Sequence, residues 1–593
     1  MPLDAAAPVL GVARSLAGRR WVWRHGEDRV GLGIAQRLGL PEILGSLLAA
    51  RGIDADAVAH FLAPTLRAML PDPAVLIDME AASLRLARAV QRAETVAVFG
   101  DYDVDGACSA AMMVVALRGL GCSVLHHVPD RLAEGYGPNV PALRSLAARG
   151  ATLVICVDCG SAAAEALASL HGVADVVVLD HHQCEGPPPS VVATVNPNRL
   201  DCGSGLATLC AAAVAFLTLV AMVRALRRAG FFAGRAEPDL LALLDLVALA
   251  TVCDVMPLTG LNRALVAQGL RVMARRERPG IAALLEVAQV RAVPTATSLG
   301  FALGPRINAA GRIDEADMGL RLLLCEDALE ARQLAERLDD INRQRQSVEA
   351  GILDAAVRAA EPQAAAGDAA LLVAGEGWHP GVVGIVAGRL RERFNRPACV
   401  AGLADGVARG SGRSVPGVDL GAAVIAARQA GLLSTGGGHP MAAGFSLPET
   451  ELAAFRAHLC ARLAAAANLP SAADLCVEGT LSVSGCTAEL AGHLARLAPF
   501  GSGNEEPLLI VPRARVVRAE RVGRELATVR AFVEGEGGEG RLKALLFRGR
   551  EGPVAEALLQ RASVLLHLAG HLRAEAWNGS VATSLVVTDA ALA

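Results

Sequence analysis

Lysine is almost absent from this chain. Lys543 is the single example, so arginine carries nearly all of the 56 positive side chains. A guanidinium presents a planar fork to phosphate or carboxylate, which an ammonium cannot. Aromatic residues are scarce too, at 3% with only two tyrosines. A nucleic-acid ligand would therefore be held more through its backbone charge than by base stacking. Paired cysteines are missing: the 13 thiols are scattered without a framework, as expected for reduced thiols of the cytoplasm. The amino-terminal stretch MPLDAAAPVLGVARS has no basic segment before its short apolar run, so no signal peptide is expected. A net charge of -4 excludes a generally basic coat and leaves room for a local basic channel. The chain is 53% hydrophobic and 20% charged, which excludes disorder as its main state. Because the apolar surplus is mostly alanine, a mean hydropathy of +0.40 does not argue for a membrane protein.

With 593 residues there is room for about three to six domains. The uncharged run at 205–223 is just long enough to span a bilayer. Its alanine, threonine and Cys210 content, and its place after a set of polar motifs, predict a buried helix instead. Residues 1–75 read as a helical extension, with short amphipathic helices at 41–50 and 54–62. From about residue 80, short Val/Ile/Leu strands alternate with Ala/Leu-rich helices. Strands are expected at 95–99, 123–128, 153–157, 176–179 and 191–195, on a mostly parallel sheet joined by right-handed crossovers. A charged helical connector follows at 326–360, with a softer stretch at 361–368 and a second α/β unit from 369 to about 465. The tail has strand-like runs at 508–517, 526–532 and 542–547, the pattern of a small β-barrel or sandwich.

The polar signatures fall just after the strands, where open parallel sheets place their sites. In VAVFGDYDVDGACSA, a strand ends in Asp101, Asp103 and Asp105, and Gly106 permits the turn into a helix. Three carboxylates crowded at one strand end repel each other unless divalent cations neutralise them. LVICVDCGS places Asp158 after a second strand, VVVLDHHQ places Asp180, His181 and His182 after a third, and Asp254 lies beside the turn at Met256 and Pro257. Oxygen and imidazole donors in this mixture suit Mn²⁺ or Mg²⁺ better than zinc, and two such ions could serve a phosphoryl transfer. Cys156 and Cys159 have CxxC spacing but no second pair, a weak signal for zinc or redox chemistry.

The set GDYDVDG, VDCG, LDHH and ATVCDVMPL resembles the DHH phosphoesterase superfamily. The full order of motifs resembles its branch of bacterial single-strand-specific exonucleases. That order continues through GPRINAAGRIDEA, GWHPGVVGIVAGRL, GSGRSVPGVDL, GGGHPMAAGFSL and LAPFGSGNEEPL. The resemblance implies a DHH catalytic domain at 76–320, a helical connector at 321–365, a DHHA1 substrate-binding domain at 366–465 and an oligonucleotide-binding (OB) barrel at 466–593. It implies 5′-to-3′ hydrolysis of single-stranded DNA to 5′-mononucleotides in recombination and repair, assisted by two ions and without a covalent protein nucleophile. By motif, Asp103, Asp105, Asp158, His181 and Asp254 would ligate metal, with Asp158 bridging and Asp101 assisting at the rim. Asp180 would orient the histidines and His182 would contact phosphate. A single-strand-binding protein and a repair helicase are the implied partners of a cytoplasmic monomer.

For the polymer, Arg409, Ser411 and Arg413 in RGSGRS, with His439 after three glycines, form a candidate pocket for the 5′ phosphate. Arg306, Asn308 and Arg312 in GPRINAAGR are expected to touch substrate or to brace the domains. Arg513 and Arg515 alternate on a tail strand and so share a face, with Arg518, Arg521 and Arg524 beyond. Two other readings stay open: a DHH-type phosphodiesterase acting on dinucleotides or short oligonucleotides, and a noncatalytic single-strand-binding protein.

Overall fold

Strand sequences such as VAVFG, LVICV and VVVL are apolar along their whole length, the pattern of strands covered on both faces. In the computed structural model they form the centre of a parallel sheet. The structure describes residues 7–24, 28–130, 134–469, 473–523, 526–547, 552–560, 564–577 and 580–593. Arg524 of the tail lies outside them. By internal contacts the chain divides into two units, one of 62–345 with 498–505, the other of 1–61, 346–497 and 506–593.

In the first unit the sheet contains β1 (Thr95–Gly100), β2 (Ser123–His127), β3 (Leu153–Val157), β4 (Asp175–Leu179) and β5 (Ala193–Val195). Their order is β2-β1-β3-β4-β5, all parallel. The chain leaves β1 to one side and returns on the other, so the crevice beside β1 and β3 is the switch point where such sheets build sites. Helices α1 (Val104–Gly119), α2 (Ala211–Arg228), α3 (Leu244–Cys253), α4 (Gly260–Met273) and α5 (Gly304–Ile313) follow. The run at 205–223 supplies most of α2, whose Val214, Phe216, Leu217 and Leu219 are buried in the core. Among the described residues, no helix is long and apolar enough to cross a membrane.

The connector is one helix, α6 (Ala328–Ala365). The stretch expected to be soft from 361 is helical to Ala365. Gln363 holds this end, donating to Leu372 O at 2.7 Å and accepting from Leu372 N at 2.9 Å.

In the second unit, β6 (Leu371–Glu376), β7 (Ala398–Ala404), β8 (Val407–Arg413), β9 (Thr435–His439) and β10 (Ala442–Pro448) form a mixed sheet in the order β9-β10-β8-β7-β6. It packs with α7 (Pro380–Phe394) and α8 (Leu420–Gln429). The tail has β11 (Leu509–Val522), β12 (Thr528–Glu534), β13 (Leu542–Leu546), β14 (Leu565–Trp577) and β15 (Ser580–Leu592). Their order β11-β12-β13-β15-β14 closes through a β11–β14 pairing, which makes a barrel and removes the open edge.

The amino-terminal extension is not purely helical. Helices Asp28–Leu38 and Glu42–Ala50 form, but Trp21–Trp23 is a strand that pairs in parallel with Leu475–Val477 beside the barrel. Three residues are too few to show a period. What fixes them is tertiary: Trp21 is fully buried, its Nε1 donates to Asp589 at 3.1 Å, and Ser15 Oγ donates to the same carboxylate at 2.7 Å. Asp589→Ala should leave these buried donors without an acceptor and cost about 3 kcal/mol. Denaturant unfolding and faster trypsin cleavage after Arg19 and Arg20 would register it, with Asp589→Asn affected less.

Candidate metal centre

The three aspartates after β1 are sorted by the turn they share. Asp101 continues the strand and is buried, while Asp103 caps α1 by accepting from Gly106 N at 3.0 Å. The turn is tight enough that a Cβ on Gly106 would lie 2.5 Å from the Asp101 carbonyl oxygen, so only glycine fits. Asp105, in the first turn of α1, points into the interior. There the amides of Ala211 and Ala212, at the start of α2, donate to it at 2.7 and 2.8 Å. A helix amino terminus is a natural seat for a carboxylate. Asp158 follows β3 with φ of 59°, left-handed backbone that side chains seldom adopt, and its amide donates to Leu179 O at 3.0 Å. Asp254 caps the carboxyl end of α3.

His181 joins these groups. Its Nε2 lies 3.3 Å from Asp158 Oδ1, 3.5 Å from Asp254 Oδ2 and 3.7 Å from Asp105 Oδ2. Two donor trios have ligand atoms within 4.8 Å of one another: Asp101, Asp103 and Asp158, and Asp105, His181 and Asp254. A third trio, Asp158, His181 and His182, overlaps both. Asp158 Oδ1 and Asp254 Oδ2 are buried yet have no hydrogen-bond partner among the described residues. Burial, then Asp105 and the other aspartates, pushes the Asp158 carboxyl well up. Burial and the Asp105 and Asp103 charges push Asp254 up to about 8, against an opposing pull from His182. Asp105 is raised by burial, with His181 opposing. Carboxylates made unfavourable by burial and by one another, with oxygens that accept no hydrogen bond, fit divalent cations. Among the described residues no cysteine joins a trio. Cys156 and Cys159 are buried, and burial raises both thiols, Cys156 to about 12.

Asp180 faces the histidines. Its Oδ1 accepts from the amides of His181 at 2.7 Å and His182 at 3.2 Å, and lies 2.8 Å from His182 Nδ1. Burial alone would raise this carboxyl, but the hydrogen bond and charge of His182 outweigh it and hold Asp180 well below the usual range. Burial alone would lower His182, but Asp180 reverses that and brings it to about 9, so the imidazole stays charged at neutral pH.

Four supporting residues escaped the sequence reading. Tyr136 Oη donates to the Asp158 carbonyl at 3.2 Å and lies 3.3 Å from the His182 ring nitrogens. Asn198 Nδ2 donates to His181 O at 2.6 Å, and Asn196 Nδ2 to His182 O and Ser161 Oγ, both at 2.9 Å. The amide of Ser161 donates to Asp180 Oδ2 at 3.0 Å. The segment VNPN at the end of β5 was a usable signal, since asparagines after a strand commonly hydrogen-bond nearby backbone in a turn.

The candidate substrate residues fall in three places. In the first unit, Asn308 on α5 accepts from Val104 N at 3.1 Å and so braces the turn that carries Asp103 and Asp105. Arg306 pairs with Asp339 at 2.8 Å and donates to Ala302 O at 2.6 Å, a bracing role rather than an open fork. Arg312 is half-buried in the last turn of α5. In the second unit, Arg409, Ser411 and Arg413 alternate along β8, opposite Ser446, Gly444 and Ala442 of β10. Gly437 and His439 of β9 continue the rows of Gly444 and Ala442. Around Gly437 and Gly444 no atom lies within 4 Å of a would-be Cβ, so this patch is open and lined by backbone, Arg413, Ser411 and His439. On the barrel, Arg513 and Arg515 are both exposed between buried Ala514 and Val516. Both turn to Glu536: Arg513 makes a bidentate pair with its carboxylate, and Arg515 donates to its carbonyl at 3.3 Å.

The fold and this site define a DHH-type protein: the DHH family amino-terminal domain matches residues 95–251 and the DHHA1 domain matches 367–465. The RecJ OB domain matches 477–589. The single-stranded-DNA-specific exonuclease RecJ of Dickeya dadantii is 39% identical over 524 residues, 86% of this chain and 89% of that protein. That of Escherichia coli is 40% identical over 485 residues, 79% and 83% of the two chains. A crystal structure of RecJ from Thermus thermophilus in complex with Mn²⁺ superposes with a TM-score of 0.77 at 30% identity, covering 95% of this chain and 78% of that one. The chain belongs to the RecJ family.

Because burial and mutual repulsion raise Asp105, Asp158 and Asp254, an ion entering the site must displace protons from them. Mn²⁺ affinity should therefore rise with pH, by about tenfold between pH 6.5 and 7.5 for each proton displaced. Calorimetry in buffers of different ionisation enthalpy would also show proton release, and Asp254→Asn should make the profile shallower.

Proposed function

We propose that this chain is a divalent-cation-dependent exonuclease that hydrolyses single-stranded DNA from its 5′ end and releases 5′-mononucleotides. The observation that carries the reading is the pair of donor trios that meet where Asp158 approaches His181, with Asp158 and Asp254 oxygens buried and without a hydrogen-bond partner among the described residues. Asp101, Asp103 and Asp158 would hold one Mn²⁺ or Mg²⁺, and Asp105, His181 and Asp254 a second, with Asp158 between them. When bound, such ions supply a water of lowered pKa and neutralise charge on the phosphoryl oxygens.

The protein's own groups do the rest. Asp180 fixes both histidines through their amides and fixes the His182 ring through Nδ1, while the charged His182 imidazole is suited to a phosphate oxygen. Tyr136 holds that ring from the other side. No side-chain nucleophile is needed: Ser109 Oγ donates to Asp105, and burial keeps the Cys108 and Cys159 thiols protonated. Arg413, Ser411 and His439, on their glycine-lined patch, are suited to a terminal phosphate. The exposed arginines of the barrel would track the backbone, with Glu536 yielding its two partners to phosphate. The chain would act as a cytoplasmic monomer, with a single-strand-binding protein and a repair helicase as its partners.

Digestion of 5′-labelled and 3′-labelled single-stranded DNA with Mn²⁺, beside blunt duplex and short RNA, tests the reading. Mononucleotides should appear first from the 5′ label, and Asp158→Ala should lower the rate at least about 10³-fold. Cleavage confined to dinucleotides, or undiminished activity in Asp158→Ala, would contradict it. Asp180→Asn should keep the fold while lowering kcat about 10- to 100-fold, because it disorients both histidines.

A further inference from the structure

The segment LAPFGSGNEEPL has no role in the chemistry above, yet part of it leaves the tail and lies in the first unit. Residues 498–505 run against the turn that follows Asp254. The amide of Leu258 donates to Ser502 O at 2.7 Å. Arg263 on α4 is 2% exposed and donates to Ala498 O at 2.8 Å and Pro499 O at 3.4 Å. Asn504, also 2% exposed, donates through Nδ2 to Pro499 O at 2.8 Å, and the backbones of Gly501 and Asn504 bridge each other, which closes the segment into a tight loop. Gly501 and Gly503 allow close approach: a Cβ would lie 2.7 Å from Leu258 Cδ1 at the first and 3.2 Å from Pro257 Cβ at the second.

The turn gripped in this way is under strain. Val255 has φ of 58°, left-handed backbone that a β-branched residue strongly disfavours, and it directly follows Asp254. Within the turn the amide of Met256 donates to Thr251 O at 3.1 Å, and Asn262 Nδ2 donates to Pro257 O at the same distance. The strap adds the Leu258 hydrogen bond and the packing on Leu258 and Pro257. A strained turn persists only where its surroundings over-determine it. Here the over-determination comes from a segment distant in sequence that continues into β11.

We propose that residues 498–505 are a positioning strap for Asp254, anchored by Arg263, and that the strap sets cation affinity at the trio of Asp105, His181 and Asp254. Arg263, Gly501 and Asn504 are then positioning residues, none of them a ligand. The inference rests on the metal-centre reading above.

The test is Mn²⁺ binding by calorimetry on the full-length chain, with melting of each protein in EDTA beside it. Gly501→Ala, which pushes Leu258 aside, should weaken Mn²⁺ binding about tenfold while melting in EDTA stays that of the parent. Arg263→Ala should weaken it further, and Arg263→Lys should recover part of the loss by keeping a donor toward Ala498 O. If the parent binds Mn²⁺ and Gly501→Ala binds it equally well, the strap has no positioning role and the metal centre stands. If the parent binds no Mn²⁺, the metal-centre reading itself is overturned and the strap proposal with it.

Discussion

Buried carboxylates that repel one another are the constraint on which the rest of this structure turns. Asp105 and Asp158 are almost wholly inaccessible, and Asp101, Asp103 and Asp254 converge on the same volume. At a separation of about 4 Å, two like charges in a protein interior repel by several kcal/mol, far more than one hydrogen bond returns. Proteins bury such groups where cations or fixed dipoles offset the cost. Fixed dipoles are present where the amides that open α2 meet Asp105, and the carboxylates and His181 form trios suited to cations.

That constraint explains the placement of elements around it. The parallel sheet brings the ends of β1, β3 and β4 side by side, so Asp101, Asp158 and Asp180 arrive from separate motifs at one crevice. Gly106 lets α1 turn in against the Asp101 carbonyl, and Asn308 braces the same turn through Val104. Asp180 serves a different end. Stripped of its pairing with His182 it would be a further repulsive charge, but with three donors on one oxygen it becomes the fixture that holds the backbone of both histidines and the ring of His182.

Much of this was legible in the sequence, because aspartates and histidines after apolar strands are a pattern that side-chain identity alone reveals. The strand at 153–157 was read to the residue, and the neighbouring strands to within one or two. The buried-helix reading of 205–223 was sound, but its function escaped notice, since backbone amides at a helix start leave no mark on composition. Tyr136 and the asparagines at 196 and 198 were missed because their work is done on main-chain carbonyls and on His182, contacts that only the folded chain creates. The strand at Trp21 was missed because its register depends on Asp589, hundreds of residues away. Arg306 shows the converse limit: an arginine in a promising motif is engaged by Asp339, which no local pattern links to it.

The arginine-for-lysine bias of the chain acquires a physical sense in this setting. Many guanidinium groups here are braces between elements, as at Arg85, Arg199 and Arg263, where several hydrogen bonds converge on one buried fork, and at the half-buried Arg278. On the proposed reading, those on β8 and the barrel meet the phosphate chain. The account's central claim is that Asp158 stands between two cations. Anomalous diffraction at the manganese edge, from crystals of the full-length chain soaked in Mn²⁺, tests it most directly. Two peaks are predicted, one beside Asp101 and Asp103, the other beside Asp105, His181 and Asp254, with an Asp158 oxygen within coordinating distance of both. A single peak, or peaks out of reach of Asp158, would contradict it.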